Sequence, residues 1–330
     1  MNKIFKLDTK DMKILAELDR NARQSNSQIG KKVRLSKEVV NYRINKMIED
    51  EVIIRFHTVI NYFKVNIVKF KLYLRLTNFN KDKLIEIAEY FNEHTKTEWV
   101  ALTTGRWDLI VGFLVKNINE FDDELQIIFN KFFEHIQEKA VTATLYLAHQ
   151  PRLFLNSLKN QNFNIVYHTT KDKEEQIDDL DLQILKLITN NARMSVIDIA
   201  NFIKTTARIV QYRIKQLERK KIILGYKVHL NPQKMNKIFC KAFFYLNVTN
   251  KNKIEEFINY SSLLPGAIWP QKILGSWDFE IDFELDNYDT FQNIILQLKE
   301  NFSEIIKNYE FCIAYREFKL DLFPEAHKTI

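Results

Sequence analysis

Asn21-Ala22-Arg23-Gln24-Ser25 and Tyr42-Arg43-Ile44 return as Asn191-Ala192-Arg193-Met194-Ser195 and Tyr212-Arg213-Ile214, 170 positions further on. The same offset relates Gly105-Arg106-Trp107-Asp108 to Gly275-Ser276-Trp277-Asp278, and Trp99 to Trp269. Between Leu7–Phe56 and Ile177–Tyr226, 14 of 50 positions are identical without a gap. Solenoid repeats run to roughly 20–50 residues, so a match of this extent marks a duplicated two-part module.

Around the quoted stretch the apolar period is helical. Residues 10–21 read as a helix with Ile14, Leu15 and Leu18 on one face. Ser25 and Gln28 fit a capping box, and a short helix with Ile29 and Val33 follows. Ser36 is the next N-cap candidate, opening a helix with Val40, Ile44 and Met47 as its buried stripe. Val52–Ile60 reads as a strand. The second copy keeps the order: Ile184, Leu185 and Ile188; Ser195 with Asp198; Ile199 and Ile203; Thr206; Val210, Ile214 and Leu217; then the strand Ile222–Leu230.

Beyond each such unit the period changes to two, with Phe70, Leu72, Leu74 and Leu76 alternating with Lys71, Tyr73 and Arg75. The remaining segments predict βαββαβ: a helix at Lys81–Asn92, strands at Glu98–Thr103 and Leu109–Val115, a helix at Asn119–Phe133 and a strand at Lys139–Leu147. The second copy repeats it at Cys240–Val248, Lys253–Ser262, Ala267–Leu274, Phe279–Leu285, Tyr288–Phe302 and Ile305–Tyr315. This order favours an antiparallel sheet with both helices on one face. The expected fold class is therefore α+β, in five segments. Residues 1–61 and 177–231 are winged or three-helix helix-turn-helix domains, 62–150 and 232–330 are ferredoxin-like domains, and 151–176 is a polar linker. Apart from the apolar stretch Phe163–Tyr167, that linker is rich in Asn and Lys, and Lys171–Glu175 reads as a solvated charge run.

Length and composition fit this partition. A chain of 330 residues exceeds one ordinary core. Two cysteines, Cys240 and Cys312, supply neither a disulfide framework nor a four-thiolate metal site, and read as buried thiols. No run of about 18 apolar residues is present and the N-terminus lacks a signal-type apolar core, so we expect a cytoplasmic protein without a membrane partner. The net charge of +7 is unevenly placed. Residues 1–60 carry 13 basic against 8 acidic groups and residues 171–230 carry 12 against 8, whereas the rest carries 24 against 26. An excess of positive charge confined to the helical part of each copy is the footprint of a nucleic-acid-binding element, or of a solvated basic face.

In a helix-turn-helix the third helix enters the major groove. The outward residues there are Lys37, Glu38, Asn41, Tyr42 and Asn45 in one copy, and Ala207, Arg208, Gln211, Tyr212 and Lys215 in the other. Asn, Gln, Arg and Lys read purine edges. Arg43, Lys46, Arg213 and Lys220 suit phosphates, and Ser36 and Thr206 cap the two helices.

These residues resemble the Lrp/AsnC (feast/famine) transcription regulators. The resemblance rests on Leu7-Asp8, Asp11, Ile14-Leu15, Asn21-Ala22-Arg23, Leu35-Ser36, Tyr42-Arg43-Ile44 and Gly225-Tyr226 with Leu230-Asn231-Pro232. Thr104–Leu109 is similar to the glycine-aromatic-aspartate turn of that family's ligand-binding (RAM) domain, and Gly275–Phe279 matches it less fully. The resemblance implies double-stranded DNA as partner and a small-molecule effector such as an amino acid. It places the effector near Gly105, Trp107, Asp108, Gly275, Trp277 and Asp278, where the bland alternative is a glycine turn, a packed Trp and a capping Asp. Family members dimerise, so the duplicated chain is expected to be an intramolecular pseudo-dimer, open to higher homo-oligomers. A ligand-sensing or scaffold protein with vestigial helix-turn-helix units is the alternative.

Glu280, Asp282 and Glu284 share one strand face where the first copy has Ile110, Gly112 and Leu114. We expect this row to pair with Lys71 and Arg75 of the first copy, against pairing with Lys241 in its own sheet, solvation, or a cation site. No metal-ligand spacing, phosphate loop or nucleophile elbow occurs, so no cofactor, metal or catalytic residue is expected. One enzyme group, the sirohaem decarboxylases, resembles the same regulators in fold and presents His and Arg to a tetrapyrrole. Here Trp99–Thr104 and Trp269–Leu274 carry no histidine.

Overall fold

The computed structural model describes residues 6–155, 166–247 and 251–323. The sequence expectations at Phe163 and Val248 lie outside them. In chain order the elements are α1 (Thr9–Arg20), α2 (Asn26–Val33), α3 (Lys37–Glu49), β1 (Ile53–Ile60), β2 (Val68–Leu76), α4 (Lys81–Glu93), β3 (Thr97–Gly105), β4 (Leu109–Val115), α5 (Ile118–Phe132), β5 (Ile136–His149), β6 (Val166–Thr169), α6 (Asp179–Thr189), α7 (Val196–Phe202), α8 (Ala207–Arg219), β7 (Ile223–Leu230), β8 (Ile238–Leu246), α9 (Lys251–Ser261), β9 (Ala267–Gly275), β10 (Phe279–Leu285), α10 (Tyr288–Asn301) and β11 (Ile306–Leu320). Among the described residues no helix is long and apolar enough to cross a membrane.

These elements gather into two compact units, and each unit takes half of both copies. The helical unit holds residues up to 61, 150–166 and 175–237; the sheet unit holds 62–149, 167–174 and the chain from 238. Matching parts of the two copies thus assemble together, because strands of each copy pair with strands of the other, and the stretch read as linker is divided between the units.

In the helical unit the helix starts follow their caps. Asp8 and Asp11 form a capping box on α1, Ser25 and Gln28 form one on α2, and Ser36 and Thr206 cap α3 and α8; each cap contributes about 1 kcal/mol. The strand after each helical trio has no local partner. β1 instead pairs antiparallel with β7, from Ile53 opposite Leu230 to Ile60 opposite Ile223. Val228 and Leu230 of the second copy complete the core built on Ile14, Leu15, Leu18 and Ile44 of the first.

The Asn-Ala-Arg motif locks the pair reciprocally. The Ala22 amide donates to Tyr226 O at 3.0 Å and the Ala192 amide to Phe56 O at 2.9 Å. The Arg23 guanidinium donates to Ala192 O at 2.5 Å and that of Arg193 to Ala22 O at 2.8 Å. Each arginine also lies over the other copy's aromatic ring, Arg23 over Tyr226 and Arg193 over Phe56.

The interdomain connection is not wholly solvated. Arg152 is buried and donates to both Asp19 carboxylate oxygens, through its backbone amide at 3.0 Å and its guanidinium at 2.8 Å. Leu155 enters the helical core. The connection exists once, so it can serve only one copy. The position equivalent to Asp19 is Thr189, whose hydroxyl turns back to Leu185 O at 2.6 Å.

In the sheet unit the first copy has the order β5-β2-β4-β3 and the second β11-β8-β10-β9. β3 pairs with β11 and β5 with β9, both antiparallel, so the two sheets close into one ring, with β6 appended to β5. The cross-copy pairing with β3 draws β11 out past its predicted end to Leu320, whereas β5 pairs with β9 only as far as Leu147 and ends at His149. α4 and α5 cover the Phe70–Leu76 face, and α9 and α10 cover the matching face of the second copy. The ring interior holds Tyr73, Trp107, Phe243 and Trp277.

Candidate nucleic-acid interface

α3 buries Val40, Ile44 and Met47 against its own trio, which turns Lys37, Glu38, Asn41, Tyr42, Asn45 and Lys46 to the exposed side. α8 buries Val210, Ile214 and Leu217 and exposes Arg208, Gln211, Tyr212 and Lys215, with Ala207 half-buried. Tyr42 and Tyr212 are 65% and 60% exposed, which is far from the burial an aromatic ring ordinarily gains. The geometry therefore brings the predicted reading residues of each copy onto one open helix face. Among the described residues, Arg208, Gln211 and Lys215 have no intramolecular partner.

Arg43 and Arg213 stand elsewhere. The Arg43 guanidinium donates to Asp8 at 2.8 Å and Asp11 at 2.7 Å; Arg213 donates to Asp178 at 2.7 Å and Asp181 at 3.4 Å. Asp8 and Asp178 cap α1 and α6, so each arginine ties the third helix to the start of the first. The Asp11 amide and then Arg43 hold the Asp8 carboxyl down at about 2. Lys220 donates to Gln176 O at 2.8 Å. These cations, read from the sequence as suited to phosphates, also brace the domain. The signal was present: Asp8, Asp11 and Arg43 recur as Asp178, Asp181 and Arg213 at the common offset.

The glycine-tryptophan-aspartate turns are also internally committed. Gly105 and Gly275 adopt φ of +114° and +150°, and a Cβ on either would collide with a carbonyl oxygen, of Phe311 or Val141. Asp108 accepts the Leu76 amide at 2.8 Å and Asp278 the Leu246 amide at 2.7 Å. Trp107 and Trp277 are buried in the ring interior, in contact with each other and with Tyr73.

The carboxylate row points into that interior. Glu280 Oε2 lies 2.5 Å from Lys71 Nζ and 3.2 Å from Lys241 Nζ. Glu280 Oε1 accepts the Trp277 indole N–H at 2.8 Å and the Tyr73 hydroxyl. Asp282 takes Lys241 at 2.6 Å and the Gln271 amide at 3.0 Å. Glu280 thus satisfies two of the expectations at once, the cross-copy one and the one within its own sheet. Arg75 stays exposed. Lysine occupies position 71 and its equivalent 241, while carboxylates occupy 280 and 282 in the second copy only. Lys71 of the first copy and Lys241 of the second thus share carboxylates that the second copy alone supplies.

Known proteins agree with the helical half of this picture. The winged helix-turn-helix DNA-binding family matches residues 7–54 and 177–223. A helix-turn-helix-type transcriptional regulator of Pyrococcus horikoshii, itself uncharacterised, is 30% identical over 117 residues, 34% of this chain and 77% of the relative. The regulator LrpB of Bacillus subtilis is 36% identical over 84 residues, 25% of this chain and 56% of that protein. The chain belongs to the Lrp/AsnC-type helix-turn-helix transcriptional regulators, and it is a DNA-binding regulator in which the module occurs twice. Over its whole length the fold is also that of the siroheme decarboxylase NirDL, with a TM-score of 0.64 at 12% identity, covering 97% of this chain and 96% of the other. At that identity the likeness is one of fold.

Proposed function

We propose that this regulator binds a two-part operator with unlike half-sites, α3 and α8 entering successive major grooves one helical turn or a multiple apart. One observation carries the reading. Two helices, each capped by a side-chain hydroxyl and held together by the Arg23 and Arg193 locks, expose different residue sets at equivalent positions. A homodimer must present one set twice and reads a near-palindrome; this chain need not. Asn41, Asn45, Gln211, Lys215 and Arg208 are the base-reading candidates, Tyr42 and Tyr212 offer contact to sugar or methyl groups, and Lys37 and Lys46 reach phosphates.

The regulator acts by binding, without catalysis. The tetrapyrrole reading draws support from the shared fold of NirDL, for which a co-complex with an iron-uroporphyrin III analogue is known. The residues oppose it. The ring interior is filled by the tryptophans and the Lys71–Glu280–Lys241 cluster, and Arg106 is held by Glu138 and Glu310. Iron-uroporphyrin III added to the protein should leave its Soret band unshifted; a shift would reverse this conclusion. The turns at Gly105 and Gly275 serve the fold, with each Asp accepting one backbone amide from the copy's opening strand.

Gel-shift titrations test the interface. Arg208→Ala and Lys215→Ala should each weaken operator binding by about 1–3 kcal/mol, with affinity falling steeply in salt. Arg213→Ala should lower the melting temperature of the helical unit and leave the slope of affinity against salt unchanged, since its guanidinium serves Asp178 and Asp181. A reduced slope for Arg213→Ala would return it to the phosphates.

A further inference from the structure

Glu38 and Arg208 occupy the same place in their two helices. Each is the second residue after the cap, on the exposed face. An acidic group suits that place, because the first-turn amides present partial positive charge. Glu38 conforms: its own amide and the Ser36 hydroxyl hold its carboxyl below the usual range, with Lys37 adding to the effect. Arg208 does not conform. Helix stability disfavours a cation there, and among the described residues nothing in the chain pairs with it. Its neighbour changes in step, from Lys37 to Ala207. Beside Glu38 a lysine shields an acid from DNA phosphates; beside Arg208 no shield is required.

One and two turns along, Asn41 and Asn45 stand in line with Glu38, and Gln211 and Lys215 with Arg208. The residues near the N-terminus of a recognition helix reach base edges, where a carboxylate accepts from cytosine N4 and arginine donates to guanine O6 and N7. We propose that positions 38 and 208 break the operator's symmetry at one equivalent base pair: cytosine on the strand read by Glu38, guanine on the strand read by Arg208. This rests on the reading of α3 and α8 as groove-entering helices that recognise unlike half-sites, and it names where and how the half-sites differ.

Selection of binding sites from random DNA, with the full chain and with E38R and R208E, tests it. Both substitutions lie on the surface, and far-UV circular dichroism verifies that each variant is folded. The unaltered chain should recover two half-sites that differ as cytosine and guanine at the shared position. E38R should recover guanine in both halves, R208E cytosine in both. Exchanging the preferred pair in one half-site should cost about ten- to a hundredfold in affinity, and the matching variant should restore it. Unlike half-sites whose identity at that pair ignores both variants would overturn this inference and leave the two-part operator standing. A perfect palindrome, or no enriched sequence, from the unaltered chain would overturn both.

Discussion

Glu280→Gln destabilises the sheet unit by about 3–5 kcal/mol. Glu280 is fully buried, and it joins Lys71 of the first copy to Lys241 of the second. Removing its charge leaves two buried ammonium groups facing Asp282 alone, and an uncompensated buried charge is far more costly than a pair removed whole. The double variant Lys71→Met with Glu280→Gln leaves Lys241 and Asp282 as a neutral pair, and should recover most of the loss. All four tryptophans, Trp99, Trp107, Trp269 and Trp277, lie in this unit, so their fluorescence in a urea titration isolates it. Equal midpoints for the single and double variants would show that the loss arises from packing instead of charge. Burial pushes the Glu280 carboxyl up, but Lys71 and Lys241 outweigh it and hold it at about 2. A carboxyl depressed in the folded state contributes stability above its unfolded pKa and loses it as pH falls through the folded one. The acid loss at this cluster therefore lies between pH about 4.5 and 2.

The helical unit should fail earlier in acid, and for the opposite kind of group. His57 and His229 are buried on the β1–β7 ribbon. Burial, then Arg152, Lys227 and Arg55, lowers His57 to about 3, with Asp19 pulling weakly the other way. Burial, then His57, Arg55 and Arg152, holds His229 well below its usual value. A histidine whose folded pKa is depressed stabilises fully above its unfolded pKa near 6.5. It loses that contribution as pH falls toward the folded value. At pH 5 the loss from His57 is about 2 kcal/mol, and His229 adds in the same sense. Hydrogen exchange of the ribbon amides between pH 7 and 5 reads this directly. His57→Gln should flatten the dependence. Loss of the tryptophan signal before ribbon protection would contradict the assignment.

How much was legible differs by distance along the chain. Ser25 with Gln28 and the Val40, Ile44, Met47 stripe are local patterns, and the helices stand where those patterns place them. Leu109–Val115, a continuous apolar run, and Phe279–Leu285, an alternating one, likewise have their predicted bounds. The bracing role of Arg43 was not read, because a basic residue on a recognition helix carries no local mark of the Asp8 and Asp11 carboxylates it meets. The carboxylate row was legible as an anomaly, since three acids on one strand face must be compensated. The two lysines that share Glu280 come from strands of different copies, and only the closed ring brings them within reach. The Asn-Ala-Arg motif was visible as a repeat but not as a lock.

By itself the sequence determined the order of the duplicated elements but not β6, which lies in the stretch read as linker, because helix period, strand alternation and caps depend on neighbours a few residues away. Tertiary structure decided that the copies are interleaved: β1 on β7, β3 on β11, β5 on β9. A strand edge exposes backbone donors and acceptors that any edge of matching register can satisfy. Which edge does so was set by burial and charge balance between residues roughly 130–210 positions apart, and no local pattern encodes those.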